Sequence, residues 1–473
     1  MFRWPVFFLA AALWAQPAPS IPSQRHARLV IRNAMVVEGN GTPAAGPKDL
    51  VIENSRIARI EASRPASVPK GDVEIDATGK YVIPGLINLH GHVQDERARV
   101  PMPVDYCLKL WLSAGITTVR DLGSELEKTK ALRDKSLEGT VAAPRLFLYP
   151  VFGHSPAPRN AGEAAARVRE LKEKGADGLK FLGTYRDVMQ AMLIEAHAQG
   201  LRAAHHTGVE ETNAWDDIAS GTTSIEHWYG IPDAALRDGV QSFPATYNST
   251  HETDRFRYAG RLWRETDSDK LLKVLDGMVK ANVAWDPTLN IYEASRDLQR
   301  AQNQPWFREY LHPALEKFFE PNLKNHGSFF FGWTTADEVF WKENYRIWMA
   351  ALREFGRRGG VIGTGEDAGY IYQMYGYGLI RELELHQEAG FHPLQVIQHA
   401  TSNGARILGL ESSIGRLRAG WLADLIVVNG NPLENLKVLY PGGVEWTIKD
   451  GIPYHGPTLL EEVKKMVSAA RGK

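Results

Sequence analysis

Residues 28–83 alternate between short apolar runs and polar breaks. Leu29-Val30-Ile31, Ala34-Met35-Val36-Val37, Leu50-Val51-Ile52 and Ile57-Ala58-Arg59-Ile60 read as strands, with turns at Gly39-Asn40-Gly41 and Glu53-Asn54-Ser55. A matching set stands near the other end: Ala423-Asp424-Leu425-Ile426-Val427-Val428 and Val444-Glu445-Trp446-Thr447-Ile448, with turns at Asn429-Gly430-Asn431-Pro432 and Lys449-Asp450-Gly451. Neither set has enough strands for a stable sheet alone. Together they predict one small β-sandwich domain assembled from residues 28–83 and 411–456, with residues 457–473 as a C-terminal helix or tail.

Between these sets the pattern switches to alternating strand and helix. Strand-like runs fall at 115–119, 145–149, 178–182, 201–204, 222–225, 283–285 and 360–363, and helical patterns at 163–174, 188–199 and 269–280. A further apolar run, Val82 to Leu89, is too short for a helix and brings the count of strands to eight. The expected fold is α/β, an eight-stranded (β/α)8 TIM barrel over residues 84–410. In such a barrel the chemistry gathers at the C-terminal ends of the strands.

Those ends are rich in ligand types. The first run ends in His90-Gly91-His92, and alternation along a strand puts both imidazoles on one side. The glycine between them is expected to leave room for an ion to approach the backbone. Lys180 stands in strand four, His205-His206 ends strand five, Glu226-His227 ends strand six, and Thr364-Gly365-Glu366-Asp367 ends strand eight. Four histidines and a carboxylate at one barrel mouth make a nitrogen–oxygen site suited to zinc, manganese, iron or cobalt.

Composition narrows the chemistry. The chain has 473 residues, 44% apolar and 23% charged, and its formal charge of −1 makes no case for nucleic acid or an acidic membrane surface. The one cysteine, Cys107, excludes an intrachain disulfide and a cysteine-cluster metal site. There is no Gly-x-Ser-x-Gly elbow and Cys107 has no evident base, which disfavours nucleophilic catalysis. Arg3, an apolar run from Trp4 to Trp14 and then Ala15-Gln16-Pro17 read as a signal peptide within residues 1–20, with cleavage after Ala15. Export, to a bacterial periplasm, and no membrane association after cleavage are the expectation.

At this point the chain resembles the amidohydrolase superfamily, and more narrowly its imidazolonepropionase-like and prolidase-like members, from about Arg28 to Tyr454. The resemblance rests on the segments PGLINLHGH, GADGLK, AAHHTG, TSIEHW, the Asp-Ala-Gly at the end of strand eight, and IGRLRAGWLADLIVVNGNPLENL. It implies that His90, His92 and Asp367 bind one divalent metal, with zinc as the expected ion, and that His205 and His227 bind a second. Lys180 matches the lysine that takes up carbon dioxide to form a carbamate bridging both ions in binuclear members. His205 is favoured over His206, which is expected to stand behind the ligands, and Asp367 over Glu366. The implied reaction is attack of a metal-bridging hydroxide on the carbonyl of an amide-type C–N bond, with Asp367 as proton shuttle.

A small-molecule substrate with a carboxylate, such as a dipeptide or an N-acyl amino acid, is expected. His154 and Tyr229 resemble positions that hold a substrate carboxylate in prolidase-like members, and Arg186 is a further candidate cation. Residues 286–348 form a long insertion dense in aromatics, expected either to pack or to cover the barrel mouth, and a second insert spans 241–264. Two other readings compete: a mononuclear cyclic-amide hydrolase or deaminase, and a non-catalytic scaffold of the same fold. An oligomer is compatible with all three.

Overall fold

The computed structural model describes residues 21–64, 70–153, 157–208, 211–248, 251–321 and 332–472. The candidate signal peptide, His154 and Phe329 to Phe331 lie outside the described residues. No helix of the described residues is long and apolar enough to cross a membrane.

Strands from both ends of the chain meet in one eight-stranded sheet rather than in two separate sheets. Its order runs Ile452–His455, Val444–Lys449, Leu425–Val428, Tyr81–Pro84, Arg28–Val36, Ala45–Glu53 and Arg56–Ala62, with Val73–Asp76 paired beside Arg28–Val36. One face is a core of Leu29, Ile31, Leu50, Ile52, Val82, Leu425, Val427, Trp446 and Ile448. The strand Tyr81–Pro84 is the join: it pairs with Leu425–Val428, and Gly85 then donates its N–H to Asp424 O (3.0 Å) as the chain passes into the first parallel strand.

The parallel strands follow in order: strand one (Leu86–Gly91), two (Ile116–Leu122), three (Arg145–Tyr149 with Val151–Phe152), four (Gly178–Leu182), five (Arg202–His206), six (Ser224–Glu226) and seven (Ala284–Asp286). Strand eight is an extended segment at 361–364, bridged to strand seven through Trp285 and Ile362. Strands three and four are linked by Asp177 N to Leu148 O (2.9 Å) and Lys180 N to Pro150 O (3.0 Å), and Leu89 N of strand one donates to Thr364 O of strand eight (2.9 Å). The strands are buried on both faces, which explains their near-continuous apolar runs.

The helices between them begin and end on local signals. Ser268–Ala281 starts at Asp267, whose side chain accepts from Lys270 N, and stops at Asn282 in the left-handed conformation. Thr335–Arg357 opens with a Thr334/Asp337 capping box and buries Trp341, Tyr345, Trp348, Leu352 and Phe355 along one stripe. This helix takes up the last part of the aromatic insertion, so those rings are core. The C-terminal residues form the helix Gly456–Arg471, tied to the helix Val104–Ser113 by Lys109 and Glu462 (2.7 Å).

Arg145 fastens the terminal sheet to the parallel strands. Its buried guanidinium on strand three pairs with Asp424 and Asp450 and donates to Thr118 Oγ1 (3.1 Å). Removing it leaves buried Asp424 without its cation and Asp450 with Lys449 alone (3.2 Å). Arg145→Met is expected to lower the unfolding free energy by about 3–5 kcal/mol, read from urea denaturation; a change within 1 kcal/mol, about the worth of an exposed pair, would contradict this role.

Candidate metal centre

Asp367 is the point on which the strand-end residues converge. His92 Nε2 lies 2.9 Å from its Oδ1 and His90 Nε2 3.7 Å from the same oxygen, while His227 Nε2 is 3.9 Å from Oδ2. The His90 ring centroid is 5.3 Å from that of His92 and 4.8 Å from that of His227. His90, His92 and Asp367 have ligand atoms within 4.8 Å of one another. Lys180 is buried on the same side, and its Nζ has no hydrogen-bond partner among the described residues.

Two backbone positions here are unusual. His227 and Asp367 both lie in the left-handed region, at φ 61° and 46°, where side chains other than glycine are uncommon. Each is pinned by hydrogen bonds: His227 N donates to Asp286 O (2.8 Å) and Asp367 N to His90 O (2.8 Å). The bends swing both side chains off the strand direction and toward the cluster.

The structure puts His206, rather than the expected His205, on the face of Lys180. In the parallel ladder Lys180 stands beside Ala204, Phe181 beside His205 and Leu182 beside His206, so His206 shares a face with Lys180 and His205 has the opposite one. The His205 ring stacks on Phe181 at 4.0 Å and its Nδ1 meets Asp217 Oδ1 at 2.8 Å, away from the cluster. His205 Nε2 is also buried without a partner among the described residues, but on the face turned away from Lys180. The His206 ring lies 4.4 Å from that of His227.

Glu366 is turned away from the site. Its Oε2 accepts from Gly376 N (2.8 Å) and Leu379 N (3.0 Å), its Oε1 accepts from Trp111, and burial pushes its carboxyl up to about 8. Gly365 explains the spacing before it. A side chain there would strike His90 Cβ and come within 2.6 Å of Asp286 Oδ2 and 2.9 Å of His90 N. Gly91 has a different reason from the expected one: its missing Cβ is replaced by Val119 and Trp111 packing, so the space serves the fold rather than an ion.

Behind the cluster lies a buried polar network. Arg120 of strand two donates through Nε to Leu89 O (2.6 Å), through Nη1 to Ser224 Oγ (2.9 Å) and through Nη2 to Glu226 Oε1 (2.7 Å). Glu226 Oε2 is 2.9 Å from His90 Nδ1, and Thr288 Oγ1 is 2.5 Å from His227 Nδ1. Sequence reading passed over Arg120, Thr288 and Asp286. The available signal was a charged residue inside the apolar strand Ile116–Leu122.

The candidate substrate residues divide. Tyr229 stands at the cluster, its ring 6.2 Å from that of His206 and 4.3 Å from that of Trp228. Arg186 does not: it is exposed at the start of the helix Arg186–Ala198, held by Asp216 (2.5 Å) and Glu211 (3.3 Å). Arg255, on the helix Glu252–Ala259 of the second insert, adds positive charge that acts on His206 and Tyr292. Tyr292 joins the insertion to the site, with its ring 5.6 Å from that of His227 and stacked on Trp341.

These residues fit a divalent cation. Burial pushes His90, His206 and His227 well below the usual histidine range, toward the neutral imidazole that ligates. Burial also brings the Lys180 ammonium down to about 8. For Asp367, burial favours the neutral acid, but His90, the His92 hydrogen bond and Lys180 outweigh it and hold the carboxyl below the usual range. Neutral nitrogens, one anionic carboxylate and a His227 Nε2 without a hydrogen-bond partner among the described residues are the donor set of a nitrogen–oxygen metal site.

Comparison with known proteins gives a consistent picture. Residues 342–452 match the amidohydrolase family. A dihydroorotase of Geobacter metallireducens is 26% identical over 163 residues, and the match spans 33% of this chain and 38% of that protein. Among solved structures, a bottromycin amidohydrolase superposes with a TM-score of 0.72 at 18% identity, covering 95% of this chain and 92% of the other. A Xaa-Pro dipeptidase with bound methionine superposes with a TM-score of 0.65 at 22% identity, covering 91% and 100%. The family match is confined to residues 342–452, while the likeness in fold extends along almost the whole chain.

Proposed function

We propose that this protein is a secreted, binuclear metal-dependent hydrolase of amide-type C–N bonds, built on a closed (β/α)8 barrel and acting on a dipeptide or an N-acyl amino acid. The observation that carries this reading is the convergence of His90, His92, His227 and Asp367 beside a buried Lys180 whose Nζ has no partner among the described residues. The likeness in fold to a Xaa-Pro dipeptidase and to a bottromycin amidohydrolase supports the same class of bond.

In this reading His90, His92 and Asp367 would hold one ion and His206 and His227 the other, and Lys180, as its carbamate, would supply a further anionic oxygen ligand. His206 takes the place that the family resemblance assigns to His205, because only His206 faces Lys180. Bound divalent ions, zinc in this reading, would polarise the scissile carbonyl and make a bound water more acidic. Asp367 takes the proton of the attacking water on its carboxylate and passes it to the leaving nitrogen. Tyr229, with Arg255 on the same side, receives the carboxylate end of the substrate, and the rings of Tyr292, Trp228 and Trp341 exclude water around it.

The test is metal analysis of the purified full chain with a panel of dipeptides, N-acyl amino acids and lactams. Two zinc ions per chain and hydrolysis of the first two classes are expected, with one ion lost in Lys180→Ala. His90→Ala should lower kcat/KM by more than about 100-fold. Protein without a transition metal, or turnover unaffected by chelation, would sink the reading.

The adjacent histidines give an independent prediction. His206→Ala should lose one metal ion, whereas His205→Ala should keep both and instead lose stability, by about 1–3 kcal/mol, because Asp217 is left buried without its partner. The opposite pattern would return the ligand role to His205.

A further inference from the structure

Beneath the proposed metal ligands lies a second group of ligand-type residues, which shares His90 with them and adds two carboxylates that the reaction does not use. His90, Glu226 and Asp286 have ligand atoms within 4.8 Å of one another. Their cation is already there: Arg120 Nη2 lies 2.7 Å from Glu226 Oε1 and 3.5 Å from Asp286 Oδ2, with all three side chains fully buried. The purpose of this group has to be read from what it touches.

Glu226 divides its two oxygens. Oε1 accepts from Arg120 Nη2 and from Ser224 Oγ (2.6 Å), which leaves Oε2 facing His90 Nδ1 at 2.9 Å. A carboxylate only accepts, so the proton of the neutral imidazole sits on Nδ1 and the lone pair on Nε2, the atom that faces Asp367. Arg120 also donates to Leu89 O, one residue before His90, so the same guanidinium holds both the backbone and the acceptor of this ring.

We propose that Arg120 and Glu226 are positioning residues that lock His90 in the Nδ1–H tautomer and so present its Nε2 to the first metal ion. The proposal rests on the metal-centre reading above. It makes a specific demand on Glu226→Gln. The single amide oxygen must serve Arg120 and Ser224, so the amide NH2 faces His90 and donates to Nδ1. Shape and hydrogen bonds survive, but the tautomer inverts and a proton occupies Nε2.

The experiment compares the full-length wild type with Glu226→Gln in zinc affinity, by competition with a chromophoric chelator, and in the imidazole 15N–1H spectrum of the zinc-free protein. The His90 signals are assigned by their loss in His90→Asn. Expected are an Nδ1–H signal in the wild type, its replacement by Nε2–H in Glu226→Gln, and zinc affinity about 10–100-fold weaker; zinc-free thermal stability falls as well, because Arg120 then keeps only Asp286 (3.5 Å) as an anionic partner. Equal zinc affinity in the two proteins, or Nε2–H on His90 in the wild type, overturns the positioning role. If Glu226→Gln fails to fold, the wild-type spectrum alone decides. Absence of zinc binding by the wild type overturns the metal-centre reading instead, and the wild-type tautomer still reports on Glu226.

Discussion

A buried imidazole has two nitrogens and can offer a lone pair from only one of them, so each ring at the Asp367 cluster needs an acceptor behind it. His90 has Glu226, and His227 has Thr288. The first of these is anchored by Arg120, which spans strands one, two and six through Leu89, Ser224 and Glu226. Without that guanidinium, Glu226 would be a carboxylate buried without its cation, a costly arrangement in a protein interior. The site is in this sense built from the interior of the strands outward.

The strand ends turn this interior order into a cluster. His227 and Asp367 adopt left-handed backbone conformations that a regular strand would not tolerate, and each is held there by a hydrogen bond to a neighbouring strand. Gly365 allows strand eight to pass close enough to His90 for Asp367 to reach it. The aromatic insertion closes one side. Tyr292 contacts His227, and Trp341 and Trp348, on the helix that follows, fill the space behind.

Much of this could be read in the chain beforehand, and the reasons for the exceptions are physical. His90, His92, His227 and Asp367 stand out because polar ligand types end short apolar runs, a local pattern. The pair His205-His206 could not be resolved that way, since a shift of one residue moves a side chain to the other face, and only the pairing of Lys180 with Ala204 fixes the register. Arg186 looked like a free cation because its partner Asp216 lies 30 residues further on. Arg120 and Glu226 are 106 residues apart, and their pairing exists only once the strands are assembled. The β unit was legible as strands from both chain ends, but its joining into a single sheet depends on the pairing of Tyr81–Pro84 with Leu425–Val428.

The central claim is that these strand ends hold two metal ions, with His206 rather than His205 as a ligand. Anomalous X-ray diffraction at the zinc edge, on crystals of the zinc-loaded protein, tests it most directly. Two peaks are predicted, one among His90, His92 and Asp367 and one against His206 and His227, with density joining Lys180 Nζ to both. No peak at Asp367, or a peak coordinated by His205, would contradict the account.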